Sequence, residues 1–328
     1  MFTSQMSNYP GGFANGVIIR GVPLVQTHPG KAFWVYNGTA LLTGQRNGSD
    51  GNDGSFNAPF ATLDYAVGKC TASRGDVIFI KPGHAETIST ATALAVDVAG
   101  IAIVGLGRGS LRPAFNLTAT SSNIAVSAAN VTLHNILITG GVDAITACMT
   151  VSAADVLLSD MEFRDVTGQM IVGVLTTAAA DRLKIYGFKY DGSDAAGSAG
   201  GAAIALVGGD MAEIKNFKII GNFAVAGIDI RTTAATQISI SDGEIWNQET
   251  TVDTCIVDTV TGSTGTVGPN LFLKLTENAA NITEAITGAT FHYNGGGTVA
   301  GLVSPSICVV NLAGESGMVI NKTASTDA

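Results

Sequence analysis

The chain has 328 residues, of which 46% are apolar, 13% charged and 6% aromatic, with 41 glycines. Its formal net charge of −9 sets a field that repels nucleic acid and anionic membrane surfaces, and no apolar run reaches the length of a membrane span. A surface built from small neutral residues suits stacked repeats, or a protein packed against copies of itself.

Residues 1–45 show no repeat, carry charge only at Arg20 and Lys31, and contain Pro10, Pro23 and Pro29. Such a segment cannot close a core of its own and is expected to be an extended arm lying on something else. Its start, MFTSQMSNYPGGFANG, lacks the positive and apolar regions of a secretory leader, so synthesis in a cytoplasm is expected. A loop, RNGSDGNDGSF, follows. APFATLDYAVGKC then reads as a short amphipathic helix with Phe60, Leu63, Ala66 and Val67 on one side. That helix would cap the exposed strand edge of a stack.

Five segments then share one pattern: apolar, x, apolar, x, Asn/Asp/Gly, x, x, apolar. They are VTLHNILI, VLLSDMEF, LKIYGFKY, AEIKNFKI and ISISDGEI. The corner column reads Asn135, Asp160, Gly187, Asn216 and Asp242, at spacings of 25, 27, 29 and 26 residues. Two positions earlier stand Leu133, Leu158, Ile185, Ile214 and Ile240; three positions later, Ile138, Phe163, Tyr190, Ile219 and Ile245. Alternation of period two marks short strands with one buried face, and the Asn/Asp/Gly column marks a tight corner. Coils of about 25 residues with three strands each, stacked at roughly 4.8 Å, place like residues over like. The fold expected is all-β, a right-handed parallel β-helix. IAIVGLG, with Ile103 and Gly105, fits as an earlier coil, and LFLKLTEN around Leu273 as a weaker later one. Two positions after the corner, Leu137, Glu162, Lys189, Lys218 and Glu244 form an outward column in which Glu162 faces Lys189 and Lys218 faces Glu244. The domains expected are an arm over 1–45, the capping helix and β-helix over 46–250, and a C-terminal β region with a polar tail over 251–328.

Chemistry is sparse. Cys70, Cys148, Cys255 and Cys308 form no C-x-x-C or Cys/His cluster, so they read as buried thiols; neither a metal nor another cofactor is expected. His28, His84, His134 and His292 are scattered, with His134 exposed on its strand. DGNDG at 50–54 lacks the ligand spacing of an EF-hand loop, and GLGRGS at 105–110 has no helix after it to cradle a phosphate. Trp34 and Trp246 stand alone. Asp160 and Asp242 share a column but lie roughly 14 Å apart, too far for paired carboxylates. Asp165 and Asp191, on successive coils, are the best catalytic candidates, with Asp194 and Asp210 further along; turn carboxylates that cap local backbone explain them as well.

The stretch GSDGNDGSFNAPFATLDYAVGKC…GDVIFIKPGHAETI resembles the opening module of right-handed β-helix proteins of the pectate-lyase-like superfamily. There a Gly/Asp loop, a Pro-Phe-x-Thr capping helix and a Gly-Asp-x-Ile-x-Ile-x-Pro-Gly coil occur in this order. The likeness covers residues 47–90, and the coil repeat extends it to about 250. Polysaccharide lyases and glycoside hydrolases belong to that superfamily, but the Gly-His-Gly and Arg-Ile-Lys motifs of its polygalacturonase-like members are missing here. Arg231, near Asp229, is the one arginine placed suggestively beside a carboxylate. The arm, NYPGGFANGVIIRGVPLV, resembles the start of a group of tailed-bacteriophage structural proteins.

That resemblance implies a virion structural protein rather than an enzyme, a capsid decoration or cement subunit on the outside of a phage head. Tyr9, Pro10, Phe13, Arg20 and Pro23 would contact the capsid. The partners implied are the major capsid protein and copies of itself, as a homotrimer, with no nucleic acid and no membrane. The alternative is a tail fibre or tailspike body that binds or cleaves a glycan.

Overall fold

The computed structural model describes residues 30–275 apart from 41–42, 166–169, 193–199, 250–251, 253, 259 and 261; outside that span it describes the backbone of seven short strands. Three strands make each coil. First-side strands such as Thr132–His134 turn through one corner residue into second-side strands such as Leu137–Gly140, and a longer turn leads to third-side strands such as Met149–Val151. First and second sides merge into one 17-stranded sheet, while the third sides form an eight-stranded sheet. All pairing between successive coils is parallel, as in Leu133↔Leu158, Ile138↔Phe163 and Met149↔Val174. The protein is a parallel β-helix of short coils, with almost no helix.

The register matches the sequence columns residue for residue. Leu133, Leu158, Ile185, Ile214 and Ile240 stand over one another and are buried. Asn135, Asp160, Asn216 and Asp242 adopt φ between 51° and 59°, and Gly187 has φ 68°. This left-handed conformation is what a one-residue corner needs, and Asn, Asp and Gly accept it at least cost. Asn270, φ 56°, extends the ladder by one coil, and its Nδ2 donates to Asp242 Oδ1 at 2.8 Å.

A second left-handed ladder lies at the entry to the first side: Asn130, Asp155, Arg182, Met211 and Gln237, φ between 56° and 59°. The first four N–H groups each bond a carbonyl of the next coil, as Asp155 N does to Asp181 O at 2.9 Å, and Gln237 N donates to Thr264 Oγ1 at 3.1 Å. No residue type marks this column, so the sequence pattern does not reveal it.

Both ends depart from the expected boundaries. Ala32–Val35, inside the segment expected to be arm, pairs in parallel with Val77–Ile80 and is the first rung of the stack. At the other end, Gly265–Val267 and Leu271–Leu275 pair with Ile238–Asn247, and parallel pairing runs on to Thr298–Gly301. The helix expected from APFATLDYAVGKC spans Leu63–Val67 and buries Leu63, Ala66 and Val67, with Phe60 beside them. Thr62 caps it, accepting from Tyr65 N; Asp50 accepts from Ala61 N, Thr62 N and Thr62 Oγ1. The acidic loop at 50–54 is thus committed in part to holding the cap.

Candidate functional site

The catalytic candidates do not converge. Asp165 is 5% exposed, directed into the coil, and its Oδ2 accepts from Met170 N at 3.1 Å and Tyr190 Oη at 3.5 Å. Burial, then the neighbouring Asp165 charge, pushes both the Tyr190 hydroxyl and the Cys148 thiol well above their usual values. Asp191 is exposed at the end of its strand, where its register partner is Arg164 rather than Asp165. The strand ends between these positions, so adjacency in sequence does not carry over to a shared face. Asp194 lies outside the described residues, and Asp210 accepts from Thr236 Oγ1 in the turn column. Of the expected arm contacts, Tyr9, Pro10, Phe13 and Arg20 lie outside the described residues; Pro23 falls in a two-residue strand paired with Ile18–Ile19.

Asp229 and Arg231 are neighbours, Arg231 Nε standing 3.4 Å from Asp229 Oδ2. Asp229 is 2% exposed, and its Oδ1 has no hydrogen-bond partner. Burial raises its carboxyl, Arg231 offsets part of that, and Asp258 adds to it. The Asp229 carboxylate is closed to solvent, while the Arg231 side chain is 30% exposed.

The outward face of the second side is open and chemically rich. Its column reads Leu137, Glu162, Lys189, Lys218, Glu244 and Phe272 in continuous register. The expected charge pairs form: Lys189 Nζ is 3.5 Å from Glu162 Oε1, and Lys218 Nζ is 2.9 Å from Glu244 Oε2. Glu162 holds more than that pair. Arg112 NH1 reaches its Oε2 at 2.6 Å and Arg164 Nε its Oε1 at 2.7 Å, so three cations surround one carboxylate. Burial pushes the Glu162 carboxyl up, but the Arg164 hydrogen bond and the charges of Lys189, Arg164 and Arg112 outweigh it and leave it below the usual value.

A parallel column on the same face reads Arg164, Asp191, Ile220, Trp246 and Lys274. Lys274 Nζ lies 3.6 Å from the Trp246 ring centre, and Phe272 beside it is 54% exposed. Trp246, isolated in sequence, thus joins an exposed aromatic and a cation. From Glu162 to Phe272 the stripe spans four coil steps, roughly 20 Å at the strand spacing. It offers hydrogen-bond donors and acceptors at one end and aromatic faces at the other. Its exposed titratable side chains include Lys189, Asp191 and Lys218.

Among the described residues no group of three or more His, Cys, Asp or Glu is placed to hold a metal ion. No described helix is long and apolar enough to cross a membrane.

No protein-family model and no curated protein sequence matches the chain. A solved structure named "Rhamnogalacturonan lyase" matches with TM-score 0.47 and 14% identity, covering 75% of this chain and 74% of that one. At that identity the likeness is one of fold. The expectation of a chain without enzymatic activity is not upheld: a parallel β-helix does not by itself decide between a catalytic and a structural role.

Proposed function

We propose that this protein is a structural component of a tailed-bacteriophage particle whose solenoid engages polysaccharide along the outward second-side face. The observation that carries the polysaccharide reading is the stripe itself: Arg164, Lys189, Asp191, Lys218 and Glu244 in register with Trp246 and Phe272. Sugar hydroxyls both donate and accept, so a row of mixed charge satisfies them along an extended chain, and pyranose faces lie against exposed aromatic rings. Support for the particle reading comes from the phage-like arm and from the low charge of the chain.

Capsid decoration is the second reading, and a different face favours it. The outward third-side column runs Ala95, Ala125, Thr150 and Leu175, uncharged and partly exposed over four coils. Such a strip suits broad contact with a major capsid protein or with copies of the chain in a trimer.

Two measurements separate these readings. Retention on immobilised polysaccharides should fall at least tenfold in Trp246→Ala and in Lys189→Glu; equal retention of both variants and the parent removes the stripe from consideration. The same incubations, assayed for reducing and unsaturated ends, detect cleavage. Copy number in purified particles then places the protein: hundreds on the head support decoration, a few at the tail support a spike, and absence from particles overturns the virion reading.

A further inference from the structure

His84 closes the seam between the first rung and the first full coil. Its side chain is fully buried, packed on Phe115 with ring centres 5.6 Å apart. Nδ1 accepts the backbone N–H of Asn37 at 3.2 Å, and Nε2 faces Glu86 Oε2 at 3.1 Å. Glu86 Oε2 also accepts from Leu63 N at the start of the capping helix, at 3.0 Å. Asn37 is held further by its own side chain, whose Oδ1 accepts from Ala85 N at 3.2 Å and whose Nδ2 donates to Ala85 O. One imidazole therefore links the segment after the first rung, the first coil and, through Glu86, the helix cap.

The bond to Asn37 needs a lone pair on Nδ1, which only the neutral ring has. A ring flip offers no escape, because it would break the Glu86 contact inside a closed space. We infer that His84 is an acid-sensitive latch: protonation of Nδ1 sets two donors against each other and releases Asn37 and its neighbours from the first coil.

The charged and titratable groups around the ring are few. Glu86 faces Nε2 and holds the ring in place. Lys81, three residues earlier, directs its Nζ to Phe56 O; Asp64 of the helix accepts from Ala95 N; Tyr36 precedes Asn37 on the released segment. None of these, as the structure places them, supplies an acceptor for Asn37 N–H once Nδ1 is lost. The latch sits where the N-terminal segment joins the solenoid, so acid would loosen that junction while the stack of coils stays intact. The inference does not depend on the polysaccharide reading.

Amide hydrogen exchange on the full chain tests it. Protection of Asn37 N–H is compared with that of Thr177 N–H, which bonds Val151 O at 3.0 Å within the third-side stack. On acidification from neutral pH the ratio should fall about tenfold in the parent protein. In His84→Asn, whose amide oxygen takes the Nδ1 position but does not titrate, the ratio should stay constant. A constant ratio in the parent, or an equal fall in the variant, overturns the latch.

Discussion

Replacing Glu162 with glutamine keeps the volume of the side chain and removes its charge from the centre of Arg112, Arg164 and Lys189. The Glu162 side chain is 9% exposed, while its partners are 19%, 44% and 48% exposed in that order. Breaking a fully buried pair costs about 3–5 kcal/mol, and an exposed pair about 0–1 kcal/mol. Arg112, the least exposed and at 2.6 Å, dominates; Arg164 and Lys189 are discounted for solvent screening. The expected loss is about 2 kcal/mol at neutral pH. Because the folded carboxyl titrates below its ordinary value of 4.5, this stabilisation is complete above that value and disappears as pH falls through the folded one. Urea unfolding of parent and Glu162→Gln at neutral pH and in strong acid measures both. Equal midpoints at neutral pH, or a difference that persists unchanged in acid, would refute the account of Glu162 as a charge hub.

Three further outcomes follow from the packing. Gly187→Ala should cost about 1–2 kcal/mol in a thermal melt, because a Cβ there would meet Asp160 Oδ1 at 2.4 Å in a left-handed backbone. Gly187→Ala melting with the parent would show that the corner relaxes freely. Ile185→Ala, in the middle of the core column, should lose about 2–5 kcal/mol by leaving a cavity between Leu158 and Ile214, read as a lowered unfolding midpoint. Cys148 and Cys255 are buried with thiols pushed upward, Cys255 to about 12, so neither should react with an aromatic disulfide reagent until the chain unfolds. Prompt labelling of either in the native protein would contradict the closed core.

The corner and core columns were legible because their physics is local. A one-residue corner demands a left-handed backbone, and Asn135, Asp160, Gly187, Asn216 and Asp242 announce it by residue type. The second ladder hides because its coil-to-coil hydrogen bonds hold even Arg182 and Met211 in the same conformation. Beyond residue 250 the pattern shows only a weak coil around Leu273, because Gly265 and Gly268 interrupt the apolar alternation before the corner at Asn270. Asp165 and Asp191 looked like a pair since they lie just past matching corners, yet one turns inward at the end of its strand while the other stays outside. Trp246 and Phe272 are 26 residues apart, and only coil stacking makes them neighbours.

The one-residue-per-coil register has a consequence for how such a surface changes over generations. Duplicating or deleting one coil shifts everything beyond it by one strand spacing while preserving every nearest-neighbour contact except at the splice. The outward stripe therefore behaves as a ruler with interchangeable graduations: its length is set by counting coils, and its chemistry by editing one outward side chain per graduation, with the core left untouched.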